Sequence, residues 1–145
     1  MTKKEKIAVL AKAMQSRLAR DGESTEWYFS PDAPEELKDL YLEHYEVRDI
    51  DYETFSDACD LVSEAYGDHP DATDDQITDD IYERASDTAS VYTSDRLAYL
   101  NMWNEDEVSE TMREYGMRSI ADACAAWYDR QVEQQAIIIK DWVNA

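Results

Sequence analysis

Apolar residues recur every three or four positions along most of the chain, the spacing of one buried helical face, and so predict a succession of amphipathic helices. Over residues 3–20 the stripe is Ile7, Leu10, Ala11, Met14 and Leu18, and Gly22 stands where a left-handed residue would end the helix. Ser30 is placed to cap a second helix over residues 31–46, with Pro31 in its first turn and Leu37, Leu40, Tyr41 and His44 at helical spacing. Residues 52–66 set Phe55, Ala58, Cys59, Val62 and Tyr66 inward and Glu53, Asp57, Asp60 and Glu64 outward, stopping at Gly67. Thr73 then caps a helix whose inward positions are Ile77, Ile81, Tyr82 and Ala85, leaving Asp74, Asp75, Asp79, Asp80, Glu83 and Asp87 to water.

A break is expected near residues 89–93, where Val91, Tyr92 and Thr93 are poor helix formers, before Leu97, Leu100 and Trp103 resume the apolar pattern. Asn104 with Glu107 reads as a capping-box variant opening a helix through Val108 and Met112 to Tyr115, ended by Gly116. The last helix, about residues 119–143, carries Ile120, Ala123, Cys124, Trp127, Tyr128, Val132, Ile138 and Trp142. No strand alternation of useful length is present, so the expected class is all-α. At 145 residues the chain suits a single compact domain of about six to seven helices. Internal repeats and linkers are absent, and "GDHPDAT" at residues 67–73 is the best candidate for a flexible joint.

Charge changes this picture of an ordinary helical domain. The 34 acids against 14 Lys and Arg leave a formal charge of -20, a self-repulsion that opposes compaction and calls for a reason other than stability. The excess is uneven: residues 1–20, a predicted basic first helix, carry +5, and the acidic body of residues 21–145 carries -25. Between residues 21 and 95 there are 24 acids and three bases, Lys38, Arg48 and Arg84. With hydrophobic residues at 43 % and ten Tyr, the chain is too rich in core formers to be a disordered acidic tail.

Candidate chemistry is sparse. His44 and His69 stand in no metal-binding or catalytic frame, and the chain holds no Gly-rich phosphate loop and no GxSxG. Cys59 and Cys124 lie inside apolar helical patterns and read as buried free thiols. Residues 49–60 space Asp49, Asp51, Glu53, Asp57 and Asp60 like a calcium loop, but Thr54 occupies the glycine position and the second half falls on a predicted helix. No cofactor, metal or catalytic residue is therefore assigned, and an enzyme is not expected. No apolar run approaches the length needed to span a membrane, and charged residues interrupt the start "MTKKEKIAVLAKAMQSR". A cytoplasmic protein is the expectation.

What remains is the arrangement of the acids themselves. Carboxylates three or four residues apart on a helix form a regular line of negative charge, and duplex DNA is a rod of negative charge. Rows of carboxylates on rigid helices could therefore occupy a basic DNA-binding groove. The residues assigned to that role are Glu35, Glu36, Asp39, Glu43, Glu46, Asp57, Asp60, Glu64, Asp74, Asp75, Asp79, Asp80, Glu83, Asp87 and Asp95. In "DATDDQITDD" the four acids Asp74, Asp75, Asp79 and Asp80 are expected to serve the target and not the fold. Two other readings stand beside this one: an acidic structural or interaction protein with a salt-adapted surface, and a small hydrolase using carboxylates and a divalent metal.

The stretch "ASDTASVYTSDRLAYLNMWN" adds a resemblance. Asp87, Ala89, Val91, Tyr92 and Asp95, followed by Leu97 and Leu100, resemble in order and kind a stretch of the Ocr-like DNA-mimic antirestriction proteins of short-tailed phages. Ile120, Tyr128 and Val132 parallel core positions of that family's terminal helix, so the similarity covers about residues 74–142. The turn lacks the family's proline, and the chain closes on "KDWVNA" where the family has a run of acids. The resemblance implies an all-helical protein, dimeric in that family, that imitates bent duplex DNA. Its implied partner is the basic DNA-binding groove of a host defence enzyme, above all type I restriction-modification, with no nucleic acid or membrane bound directly.

Overall fold

A computed structural model describes residues 1–18, 20, 25–44, 49–86, 105–116 and 120–145. Among these residues are six helices, α1 (Lys3–Leu10), α2 (Glu35–His44), α3 (Asp49–Asp68), α4 (Asp74–Ala85), α5 (Glu105–Tyr115) and α6 (Ile120–Asn144), with one hairpin, β1 (Met14–Leu18) and β2 (Thr25–Phe29). The molecule is mostly helical, as its periodicity predicts. Gly22, Glu46, Asp87, Asp95, the expected break at 89–93, Leu97, Leu100, Trp103 and Asn104 lie outside the described residues, and with them most of the Ocr-like stretch.

The first expected helix is shorter than its apolar stripe. Thr2 caps it, its hydroxyl accepting from the Glu5 amide at 3.1 Å while the Glu5 carboxylate accepts from the Thr2 amide at 3.3 Å. After Leu10 the chain turns and forms β1, antiparallel to β2 with Met14 opposite Phe29 and Arg17 opposite Glu26. Ala, Lys, Met, Gln and Arg are good helix formers, so local preference would have continued the helix. The partner segment TEWYF, rich in aromatic residues, offers a better bargain through cross-strand pairing. Leu18, expected in the core, is 71 % exposed.

Two helix boundaries also move, each for a local reason. Pro34 disfavours helical geometry at Ala33, so α2 begins at Glu35 and Ser30 caps only a preceding turn, its carbonyl accepting from Ala33 at 2.9 Å. Gly67 does not stop α3, which runs on to Asp68, and Pro70 blocks continuation through His69. Residues 49–60 are helical throughout, so the spacing that suggests a calcium loop falls on a helix. Gly116 does adopt the left-handed conformation after α5, with φ +65°.

The core is built on α3 and α6, which pack along each other, with α1, α4 and α5 against them. Phe55, Ala58, Cys59, Val62 and Tyr66 from α3 meet Ala123, Cys124, Trp127, Tyr128 and Val132 from α6, all buried, and both cysteines are free thiols. In the second half of α6 Gln135, Ala136, Ile139, Lys140 and Val143 are buried, whereas Ile138 and Trp142 are half-buried. Phe29 joins hairpin and helices through edge-to-face contacts with Tyr41 at 5.7 Å and Phe55 at 5.9 Å. Polar contacts cross the α3–α6 seam: Gln135 donates to the Thr54 hydroxyl at 2.7 Å, the Tyr128 hydroxyl donates to Asp57, and Asn144 donates to the Tyr66 hydroxyl at 2.9 Å. Glu53, expected on the outer face, is buried. Among the described residues no helix is long and apolar enough to cross a membrane.

Candidate functional site

Charge on this surface divides into carboxylates held by the protein and carboxylates left to solvent. On α2, Glu35, Glu36, Asp39 and Glu43 are all exposed. Glu35 pairs with Lys38 at 3.3 Å and Glu43 lies 4.0 Å from His44, while Glu36 and Asp39 have no ion pair among the described residues. The helix puts them outward because Leu37 and Tyr41 take the opposite side into the core.

On α3 the expected row is drawn inward only in part, Asp60 and Glu64 staying exposed. Asp57 accepts the Tyr128 hydroxyl, and Glu64 lies 3.5 Å from the Arg84 guanidinium. Asp60 stays at the surface with no basic partner among the described residues, and its carboxyl is pushed from the usual 3.8 to about 6 by burial first, then by the charges of Asp57 and Glu64.

On α4 the quartet of "DATDDQITDD" splits. A reciprocal capping box starts the helix: the Thr73 hydroxyl accepts from the Gln76 amide at 3.2 Å, and the Gln76 side chain accepts from the Thr73 amide at 2.8 Å. Asp74 accepts from buried Lys140 at 3.2 Å and from Asn144 at 3.2 Å, and Lys140 also donates to Thr78 at 2.7 Å. Asp80 is only 16 % exposed and accepts from Arg84 at 2.7 Å. These two acids belong to the fold, contrary to expectation. Asp75, Asp79 and Glu83 remain exposed without an ion pair among the described residues. Tyr82, expected inward, is 47 % exposed.

The basic residues explain the division. Arg84 contacts Glu64 and Asp68 of α3 and Asp80 of its own helix. Lys6 in α1 is buried and donates to the carbonyls of Trp142 at 2.9 Å and Ala145 at 3.2 Å, placing its charge at the negative end of α6. One cation of the basic start thus closes the last helix. Lys140 could have been found in the sequence, because it repeats the Val132, Ala136 stripe at helical spacing. The Asp68 and Glu64 contacts of Arg84 bring α3 and α4 together and have no signal at short range.

An open depression beside the start of α4 is lined by His69, Asp71, Gln76, Asp79, Asp80 and Glu83. A second lies where His44 of α2, Tyr82 of α4 and Ile137 and Ile138 of α6 approach one another. Among the described residues no group of three or more His, Cys, Asp or Glu has the arrangement to hold a metal ion. No protein-family model, curated protein or solved structure matches the chain. Any functional reading therefore rests on the charge geometry and on the short Ocr-like resemblance.

The geometry allows one comparison of magnitude. Asp75, Asp79 and Glu83 succeed one another every four residues, which at about 1.5 Å of rise per residue is one charge per about 6 Å of axis. A single DNA strand carries one per about 3.4 Å and the duplex one per about 1.7 Å. One helical row has roughly half the linear charge density of one strand, so a convincing imitation needs several rows acting together.

Proposed function

We propose that the protein is a DNA mimic that occupies the basic DNA-binding groove of a host defence enzyme, with type I restriction-modification the foremost candidate. The observation that carries this reading is the division of charge. Of the described cations of the acidic body, Lys38, Arg84, Arg130 and Lys140 are held close to acids, with Arg113 the exception, yet Glu36, Asp39, Asp75, Asp79 and Glu83 stay exposed and unpaired by any described residue. A surface evolved only for stability would relieve these repulsions, each of which costs a few tenths of a kcal/mol. The Ocr-like stretch around Tyr92 supports the same reading from the sequence side. Inhibition is by competition alone, and the protein performs no chemistry; its place of action is the host cytoplasm.

Of the acids assigned from sequence, Asp57, Glu64, Asp74 and Asp80 are held by the protein and leave the contact set, and the α2 and α4 outer rows become its centre, with Asp60 contributing from α3. The test is competition on a purified type I restriction enzyme with a fluorescent duplex bearing its recognition site. The protein should displace the duplex, and excess duplex should displace the protein. Simultaneous binding of both to one enzyme would exclude a shared groove, and absence of binding to that and other DNA-binding defence enzymes would exclude the reading.

A further inference from the structure

α3 and α4 together contain one Lys or Arg, and it stands where the two helices meet. Three different nitrogens of Arg84 face three different carboxylates: Nε lies 2.7 Å from Asp80, Nη2 2.6 Å from Asp68 and Nη1 3.5 Å from Glu64. Asp80 is on α4, four residues before Arg84, whereas Glu64 and Asp68 are one turn apart on α3. The guanidinium is planar and its donors form a rigid fork, so hydrogen bonds to Asp80 and Asp68 with Glu64 paired beside them fix the relative positions of the three carboxylates. A lysine ammonium brings the same charge as a point. The Arg84 side chain is 26 % exposed and Asp80 16 %, a degree of shelter in which pairing is screened less than on open surface.

The other charges facing this seam are mostly negative. Asp60 stands one turn before Glu64, Glu83 precedes Arg84, and His69 Nε2 lies 3.9 Å from Asp80 at the mouth of the depression. Lys140 approaches α4 from α6 and meets Asp74, away from the contacts of Arg84. Without the guanidinium, Glu64, Asp68 and Asp80 would repel one another across the helix pair.

We propose that Arg84 is a positioning residue: its three-carboxylate clamp sets the separation between the acids of α3 and the Asp75, Asp79, Glu83 row of α4. The value of that separation to a target rests on the DNA-mimic reading, because a basic groove reads charge at fixed spacing. The existence of the clamp does not. It also accounts for a cation in the middle of an acidic face: an internal strut that holds rows of like charge in register.

Nitroxide labels at Gly67, exposed at the end of α3 with room for a side chain, and at exposed Ser86 after α4 report the separation by pulsed electron resonance. Arg84→Gln and Arg84→Lys are compared with the parent, after circular dichroism confirms helical content. A third variant combines Arg84→Gln with Glu64→Gln, Asp68→Asn and Asp80→Asn, removing clamp and repulsion together. At about 0.01 M salt, where charges act over about 30 Å, Arg84→Gln should give a longer and broader distance distribution than the parent. At about 1 M salt, with a range near 3 Å, it should contract toward the parent value. The combined variant should be insensitive to salt and Arg84→Lys intermediate. If Arg84→Gln does not fold, Arg84→Lys carries the same salt test.

Parental distances in Arg84→Gln at low salt would overturn the proposal. So would a broadening independent of salt, which is the mark of lost packing. A parent protein that fails to displace DNA from any enzyme would end the mimic reading and leave these distances unaffected, so the two failures are separable.

Discussion

Asp74 and Asp75 are neighbours in the chain with different surroundings, the first accepting hydrogen bonds from Lys140 and Asn144 and the second facing water. In urea denaturation Asp75→Asn and Asp79→Asn should leave stability unchanged or raise it by a few tenths of a kcal/mol through relief of like-charge repulsion. Asp74→Asn and Asp80→Asn should each lower it by about 1 kcal/mol, a figure discounted from buried charged hydrogen bonds because Asp74 is 57 % exposed. Equal behaviour of all four would show that the contacts of Asp74 and Asp80 contribute nothing to the fold. Asp60 works in the opposite sense. Its folded carboxyl titrates near 6, above its usual 3.8, so the folded state binds more protons than the unfolded one between those values. Stability from this group therefore falls as pH rises from about 4 to 6 and stays reduced above it. Asp60→Asn should stabilise the protein by about 1 kcal/mol at pH 7 to 8, after discounting for solvent screening, with the gain fading toward pH 4. A gain that persisted unchanged at pH 4 would contradict the assignment.

Among the elements, helices whose signals are local could be read from the sequence. Thr73 before Ile77 and Ile81, and Gly116 after Tyr115, mark the start of α4 and the end of α5 because caps act within one turn. The hairpin could not be read. Met14 and Leu18 continue the stripe of Ile7 and Leu10, and only pairing with a second strand, from Leu18 opposite Thr25 to Met14 opposite Phe29, turns them out of it. Glu53 shows the same limit, since a helical face broad enough to pack against several neighbours buries positions that a narrow apolar stripe assigns to water. Lys6 is the element-scale contact most open to test. Lys6→Met keeps most of the apolar stem and removes the charge donated to Trp142 and Ala145, and should cost about 1 to 2 kcal/mol. Amide hydrogen exchange should accelerate in the last turn of α6 before it does so elsewhere; uniform acceleration would assign Lys6 to global stability alone.

For the molecule as a whole, net charge was legible and its distribution only in part, because sequence counts acids and only three-dimensional pairing tells which of them are held. Spacing put Glu36, Asp39, Asp75, Asp79 and Glu83 on outward rows correctly, while Asp74 and Asp80 were withdrawn by Lys140 and Arg84. The proposed competition carries a quantitative expectation at this scale. Rows with about one charge per 6 Å condense fewer counterions than a duplex, so binding to the same groove should weaken less steeply with salt than duplex binding does. Titrations of both ligands on one enzyme across a salt series would show it, and an equal or steeper slope for the protein would rule out this account of its charge. The contact between Lys6 and Trp142 bears on how the molecule is made. It joins residues 136 positions apart, and so closes a loop that contains every other described element. During synthesis α1 is made before every other described element, and the end of α6 lacks its cation until α1 folds back onto it. The cationic seal on the last helix is therefore a late event in folding, and the order of translation runs opposite to the order in which the first helix finds its place.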